Sequence, residues 1–134
     1  MSAPNPETDT RPRVLFMDDE EAIREVMSLM LRRRGFDVTA VGDGSQAVAV
    51  FGDAIARGVL FDVVVLDLAV PGGAGAREAI GALRNLDPGV RALVSSGHAD
   101  DPVMVDPAAH GFTGVVPKPY SIAELVAAVE RALR

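Results

Sequence analysis

Short apolar runs recur along the chain, and stretches with helical spacing of apolar residues separate them. Val14-Leu15-Phe16-Met17, Asp37 to Val41, Val63-Val64-Val65-Leu66, Val90 to Val94 and Val115-Val116 read as strands. The run at 63–66 has no polar alternation, the mark of a strand covered on both faces in a parallel sheet flanked by helices. Between the runs, Ile23, Val26 or Met27, and Met30 form one helical stripe, which stops at Gly35 behind Arg32-Arg33-Arg34. Ala47, Val48, Phe51 and Ile55 form a second that ends near Gly58, and Ala76, Ala79, Ile80 and Leu83 a third that stops at Asp87-Pro88. Asp100 to His110 contains Pro102 and Pro107, so only a short or irregular helix is expected there. The last helix has the clearest start. Ser121 and Glu124 have the spacing of a capping box, Tyr120 and Leu125 that of a hydrophobic staple, and Ile122, Leu125, Val126, Val129 and Leu133 form its buried stripe.

Strand and helix thus alternate five times. Right-handed crossovers turn such a pattern into one five-stranded parallel sheet with helices on both faces, a doubly wound α/β sandwich. Residues 1–12, polar and carrying Pro4 and Pro6, read as a flexible tail, and residues 13–134 as one domain. With 134 residues the chain is long enough for a real core. Aromatics are only 4% and Trp is absent, so that core must be aliphatic. The formal net charge of −6 argues against a nucleic-acid surface, and no nucleic acid is expected to bind directly. No cysteine is present, which excludes disulfides and thiolate metal sites and fits a cytoplasmic protein. No apolar run is long enough for a membrane span, and the N-terminus lacks a signal pattern.

Candidate chemistry collects where the strands end. A parallel sheet places every carboxyl end on one side, where open α/β sheets hold their ligands. The first strand delivers Asp18 and Asp19, the third Asp67, the fourth Ser96 and the fifth Lys118. Each has a plain alternative taken singly: an acid after a strand caps a helix, Ser96 closes a turn, Lys118 is solvated. Together they make a site. Converging carboxylates either raise one another's pKa or recruit a cation, and a hard divalent ion such as Mg²⁺ suits so small a set of oxygen ligands. A metal, a lysine and a hydroxyl are also the equipment for holding a phosphoryl group.

These motifs resemble the receiver domain of two-component response regulators, a CheY-like, flavodoxin-like fold. The likeness rests on Met17-Asp18-Asp19-Glu20-Glu21, on Leu66-Asp67-Leu68-Ala69-Val70-Pro71-Gly72-Gly73, on Ser95-Ser96-Gly97-His98 and on Pro117-Lys118-Pro119-Tyr120. It covers roughly Arg13 to Leu133 and is closest in flavour to the receivers of hybrid sensor histidine kinases. The resemblance implies that Asp67 accepts a phosphoryl group from a phosphohistidine on a histidine kinase or histidine phosphotransfer protein. It implies Mg²⁺ held by Asp19, by Asp18 mainly through water, by Asp67 and by the main-chain carbonyl of Ala69. Lys118 and Ser96 would bind the phosphoryl oxygens, and the Lys118-Pro119 peptide would be cis. Such a chain is a signalling phosphoacceptor that autocatalyses only its own phosphorylation and dephosphorylation, not an enzyme acting on other substrates.

Some positions depart from the family pattern. Three residues before the lysine the family usually has an aromatic switch; here Val115 stands there, too stiff to swing as a ring does. His98 and Ala69, each two residues past a key side chain, are candidates for tuning phosphate lifetime. Other classes fit less well. Phosphatases that form an aspartyl phosphate carry a second acid two residues on, where this chain has Ala69, and Gly72-Gly73-Ala74-Gly75 matches neither nucleotide-binding fingerprint. The remaining rival is a protein-interaction module that works without phosphorylation. Because no output segment follows the last helix, the expected output is partner contact, onward relay or a phosphate sink, with a monomer favoured.

Overall fold

The computed structural model describes residues 10–134; most of the expected tail, residues 1–9, lies outside them. The chain runs β1 (Arg13–Met17), α1 (Glu21–Arg33), β2 (Asp37–Val41), α2 (Gly44–Ala56), β3 (Val63–Asp67), α3 (Ala76–Leu86), β4 (Ala92–Ser96), α4 (Pro102–Val105), a 3₁₀ turn (Ala108–His110), β5 (Gly114–Pro117) and α5 (Ile122–Leu133). The sheet is parallel throughout in the order β2-β1-β3-β4-β5, the doubly wound arrangement the alternation predicts.

Strand residues sort by parity onto the two faces. Val14, Phe16, Val63, Val65 and Leu93 join α1 and α5 in one core, with Leu31, Leu125 and Val129. Leu15, Met17, Val64, Leu66 and Val94 join α2, α3 and α4 in the other, with Ala47, Phe51, Ala79 and Leu83. Both layers are aliphatic, apart from three buried phenylalanines on the helices and loops and Phe16 in β1.

Local signals match the elements with three exceptions. Gly35 and Gly58 end α1 and α2 with φ of 92° and 72°, a left-handed conformation open to glycine. The Ser121–Glu124 capping box forms, and Tyr120 packs on the cluster that contains Leu125. The first exception is α1, where Met30 is 38% exposed and Leu31 takes its place in the core, one turn past Met27. The second is β4, which spans Ala92–Ser96 in place of Val90 to Val94. Two serines belong to it because Asp67 pairs with Ser95 and Ser96 with Pro117, so register overrides polarity. The third is the bounds of β1, β3 and β5, each extended by one or two residues. The segment with Pro102 and Pro107 does form only one α-turn and one 3₁₀ turn.

Candidate functional site

The site is assembled by ladder bonds before any side chain takes part. At the carboxyl end of the sheet the Asp18 amide donates to Val41 O at 3.1 Å, the Leu68 amide to Ser95 O at 2.8 Å and the Lys118 amide to Ser96 O at 2.9 Å. Strand ends carrying Asp18, Asp67, Ser96 and Lys118 are therefore locked side by side. Asp18, Asp67 and Ser96 are each at most 3% exposed. The Lys118–Pro119 peptide is cis, as the resemblance implies.

Lys118 bridges the two buried acids. Its Nζ lies 2.9 Å from Asp18 Oδ2 and 3.2 Å from Asp67 Oδ2. Asp67 Oδ1 accepts the Ala69 amide at 3.3 Å, and Asp18 Oδ1 the Glu20 amide at 2.9 Å. Burial pushes the Asp67 carboxyl up to about 6; Lys118 opposes this, while Asp18 and a hydrogen bond with Asp19 add to it. For Lys118, burial works against the charge, yet the bond to Asp18 and the fields of both acids outweigh it and hold the amine above its usual range. Burial likewise pushes the Tyr120 hydroxyl, just past the cis bond, up to about 12.

Asp19 is exposed at the mouth. Carboxylate oxygens of Asp18, Asp19 and Glu20 lie within 4.8 Å of one another, a group that could hold a metal ion. Lys118 pairs with Asp18 and Asp67, while Asp19 and Glu20 add two further carboxylates beside Asp18. All donors are hard oxygens. Such a set fits a small divalent cation such as Mg²⁺. The structure brings Ser96 to the same end of the sheet, its Oγ accepting the His98 amide at 3.0 Å, and leaves the His98 side chain exposed. Val115 sits half-buried in β5, packed on the core layer that holds Val94, Val103 and Met104.

One neighbour of the site stands in the acidic motif without a role, and another escaped the motif reading. Glu20, part of that motif, is the third member of the acidic group. Arg24 sends Nη1 to the Asp18 carbonyl at 2.8 Å and so braces the acidic turn. The only signal for it in the sequence is its place one helical turn after Glu20, too common a spacing to single it out.

Comparison with known proteins agrees with this picture. The response regulator receiver domain family matches residues 14–130. The DNA-binding response regulator MtrA of Mycolicibacterium smegmatis is 36% identical over 124 residues, covering 92% of this chain and 51% of that protein. The chain thus spans about half the length of the curated relatives it matches first. A two-component response regulator of the LuxR family from Aurantimonas is 30% identical, with a TM-score of 0.79 over 92% of this chain and 86% of that one. The receiver domain of a Pseudomonas aeruginosa sensor histidine kinase, with magnesium coordinated in its active-site cleft, shares the fold. It is 23% identical, with a TM-score of 0.78, covering 92% of this chain and 98% of that one.

One expectation is overturned. The acidic balance pointed away from nucleic acid, but a relative that matches nearly the whole chain is a DNA-binding response regulator. Net charge describes the surface of this chain; in a two-part relative the nucleic acid can be bound by the other half, which that number does not see. Among the described residues no helix is long and apolar enough to cross a membrane. Fold, motifs and relatives agree, and the chain belongs to the response regulator receiver domain family.

Proposed function

We propose that this chain is the phosphoacceptor of a two-component or phosphorelay pathway, and that Asp67 takes a phosphoryl group from the phosphohistidine of a histidine kinase or phosphotransfer protein. The observation that carries the reading is Lys118 Nζ held between Asp18 and Asp67 at the buried end of the sheet. An Asp67 oxygen attacks phosphorus in line, the P–N bond breaks, and its electron pair returns to the imidazole, which leaves neutral with the proton already on its other nitrogen. Asp67 must be ionised to attack, and its carboxyl at about 6 is mostly so at neutral pH. Lys118 offsets charge on the phosphoryl oxygens, and the Ser96 hydroxyl donates to one of them. Asp18, Asp19, Asp67 and the Ala69 carbonyl are the groups that would hold Mg²⁺, which supplies electrostatic stabilisation of the transferred group when bound. Ala69 and His98 flank the acyl phosphate and set how water reaches it.

The output we infer from the relatives is control of DNA binding through an effector domain, with phosphorylation as a local charge event that biases the loop after Ser96. The test is intact mass after incubation with acetyl phosphate, with and without Mg²⁺, alongside Asp67→Asn. A gain of one phosphoryl group that needs Mg²⁺ and is absent from the variant is expected. The absence of both adduct and donor turnover would overturn the reading and leave a module that acts by contact alone.

A further inference from the structure

The loop after Ser96 is fastened by a chain of bonds to the first turn of α3, which in turn packs closely on the end of the phosphoacceptor strand. Ser96 Oγ accepts the His98 amide at 3.0 Å. The His98 carbonyl in turn accepts the Asp101 amide at 3.1 Å. The Asp101 carboxylate caps α4 by accepting the Val103 amide at 2.9 Å, and it also takes Arg77 Nη2, at 2.6 Å on Oδ1. Arg77 lies in the first turn of α3. That turn is fixed relative to Asp67, because Gly75 is pressed so closely on the strand end that a Cβ there would come within 2.5 Å of Leu68 O. The chain therefore starts on α3 beside the phosphoacceptor strand, crosses by an ion pair and ends on the hydroxyl.

We propose that Arg77 and Asp101 are positioning residues for the Ser96 hydroxyl. A serine oxygen that accepts an amide N–H keeps its own hydrogen free to donate. With the His98 amide seated on Oγ, that hydrogen is available to an incoming phosphoryl oxygen, and the Arg77–Asp101 pair keeps the amide seated. The usual aromatic partner on β5 is replaced by Val115, so here the hydroxyl is held from the α3 side. Arg77 is 51% exposed and Asp101 19%, and an ion pair this wet is a weak fastening; its removal shifts a rate and does not abolish it. The inference rests on the phosphoacceptor reading of Asp67.

The experiment is the rate of Mg²⁺-dependent adduct formation from acetyl phosphate in the wild type, Arg77→Ala, Arg77→Lys, Ser96→Ala and the Arg77→Ala/Ser96→Ala double variant. Loss of a hydrogen bond to a charged group predicts about tenfold slowing for Ser96→Ala. The weaker fastening predicts about three- to fivefold slowing for Arg77→Ala, most of it recovered by Arg77→Lys. In the Ser96→Ala background Arg77→Ala has no further effect, since there is no hydroxyl left to place. The His98 amide exchanges faster with solvent in Arg77→Ala than in the wild type. Equal slowing in both backgrounds, or none in either, overturns the positioning role while the wild-type adduct leaves the phosphoacceptor reading intact. A wild type without adduct or donor turnover removes both.

Discussion

Asp67 and the segment after Ser96 lie at the same end of the sheet, and they are held in opposite ways. Asp67 ends a strand whose every residue is buried, between two strands that bond to it, with Lys118 and Ala69 on its carboxylate. Residues 97–113 follow the next strand with one α-turn and one 3₁₀ turn, and only Val103, Met104 and Phe112 among them are buried. Besides those three anchors, two arginines on one face of α3, two turns apart, tie the segment to that helix: Arg77 on Asp101 and Arg84 on the Gly111 carbonyl. The core fixes the proposed phosphoacceptor, and a few polar contacts hold the segment proposed to respond to it. Local stability differs accordingly, and elements that move are drawn from the weakly held end.

The comparison breaks most sharply on truncation. Leu66, wholly buried beside Asp67, should cost about 2–5 kcal/mol on Leu66→Ala, while Val105→Ala, at a residue 69% exposed on α4, should stay within about 0.5 kcal/mol. Urea melts of the two variants measure this, and similar losses would erase the distinction. Next comes the strain in the fixed region itself. The Asp67 carboxyl is raised from 3.8 to about 6 on folding, so between those values the folded state binds more protons than the unfolded one. Stability therefore falls as pH rises through that window and stays low above it. At about 1.4 kcal/mol per unit the shift amounts to roughly 3 kcal/mol, which Asp67→Asn should recover at pH 7 and not at pH 4. Thermal melts at the two pH values, without divalent metal, check it. Saturating Mg²⁺ should stabilise the wild type at pH 7 by mass action and narrow its gap to the variant.

The same contrast explains what could be read from the chain. Strands and their acids were legible because β-branched runs lead straight into Asp18 and Asp67, and helix ends because Gly35, Gly58 and the Ser121 box are local signals. Lys118 could be placed with the acids once the sheet was known to be parallel. Where β4 ends was not legible, since Ser95 and Ser96 are polar and only pairing with β3 and β5 makes them strand. Nor was the exchange of Met30 for Leu31, because both fit a helical stripe and only the position of α5 decides between them. The Arg77–Asp101 pair spans 24 positions of sequence and joins the first turn of α3 to the N-cap of α4, so no periodicity encodes it.

A smaller effect tests how the weakly anchored segment is fastened. Arg84 donates to Gly111 O from Nε at 3.0 Å and to Pro88 O at 2.8 Å. Arg84→Ala should cost about 1 kcal/mol, the net worth of such bonds. Its signature is regional. Amide exchange should quicken from 101 to 113 while the amides of β1 and β3 keep their protection; uniform quickening would mean that α3, not the segment, had been loosened.

The smallest expected effect is at Val115, and it is the sharpest check on where the hydroxyl is held. Val115 is half-buried and packs on the core layer that holds Val94, Val103 and Met104, so the ring of Val115→Tyr would lie on the face of the sheet that carries α4. If Ser96 is placed from α3 through Asp101 and His98, a ring on the β5 side adds nothing to the approach of the phosphoryl group, and the adduct should form at the wild-type rate. Pairing the change with Arg77→Ala makes the point decisive. A ring that restores the lost rate would show that β5 can take over the positioning and that the two sides compete for one hydroxyl. A rate that stays low would leave the α3 side as the route by which this pocket holds Ser96 in place.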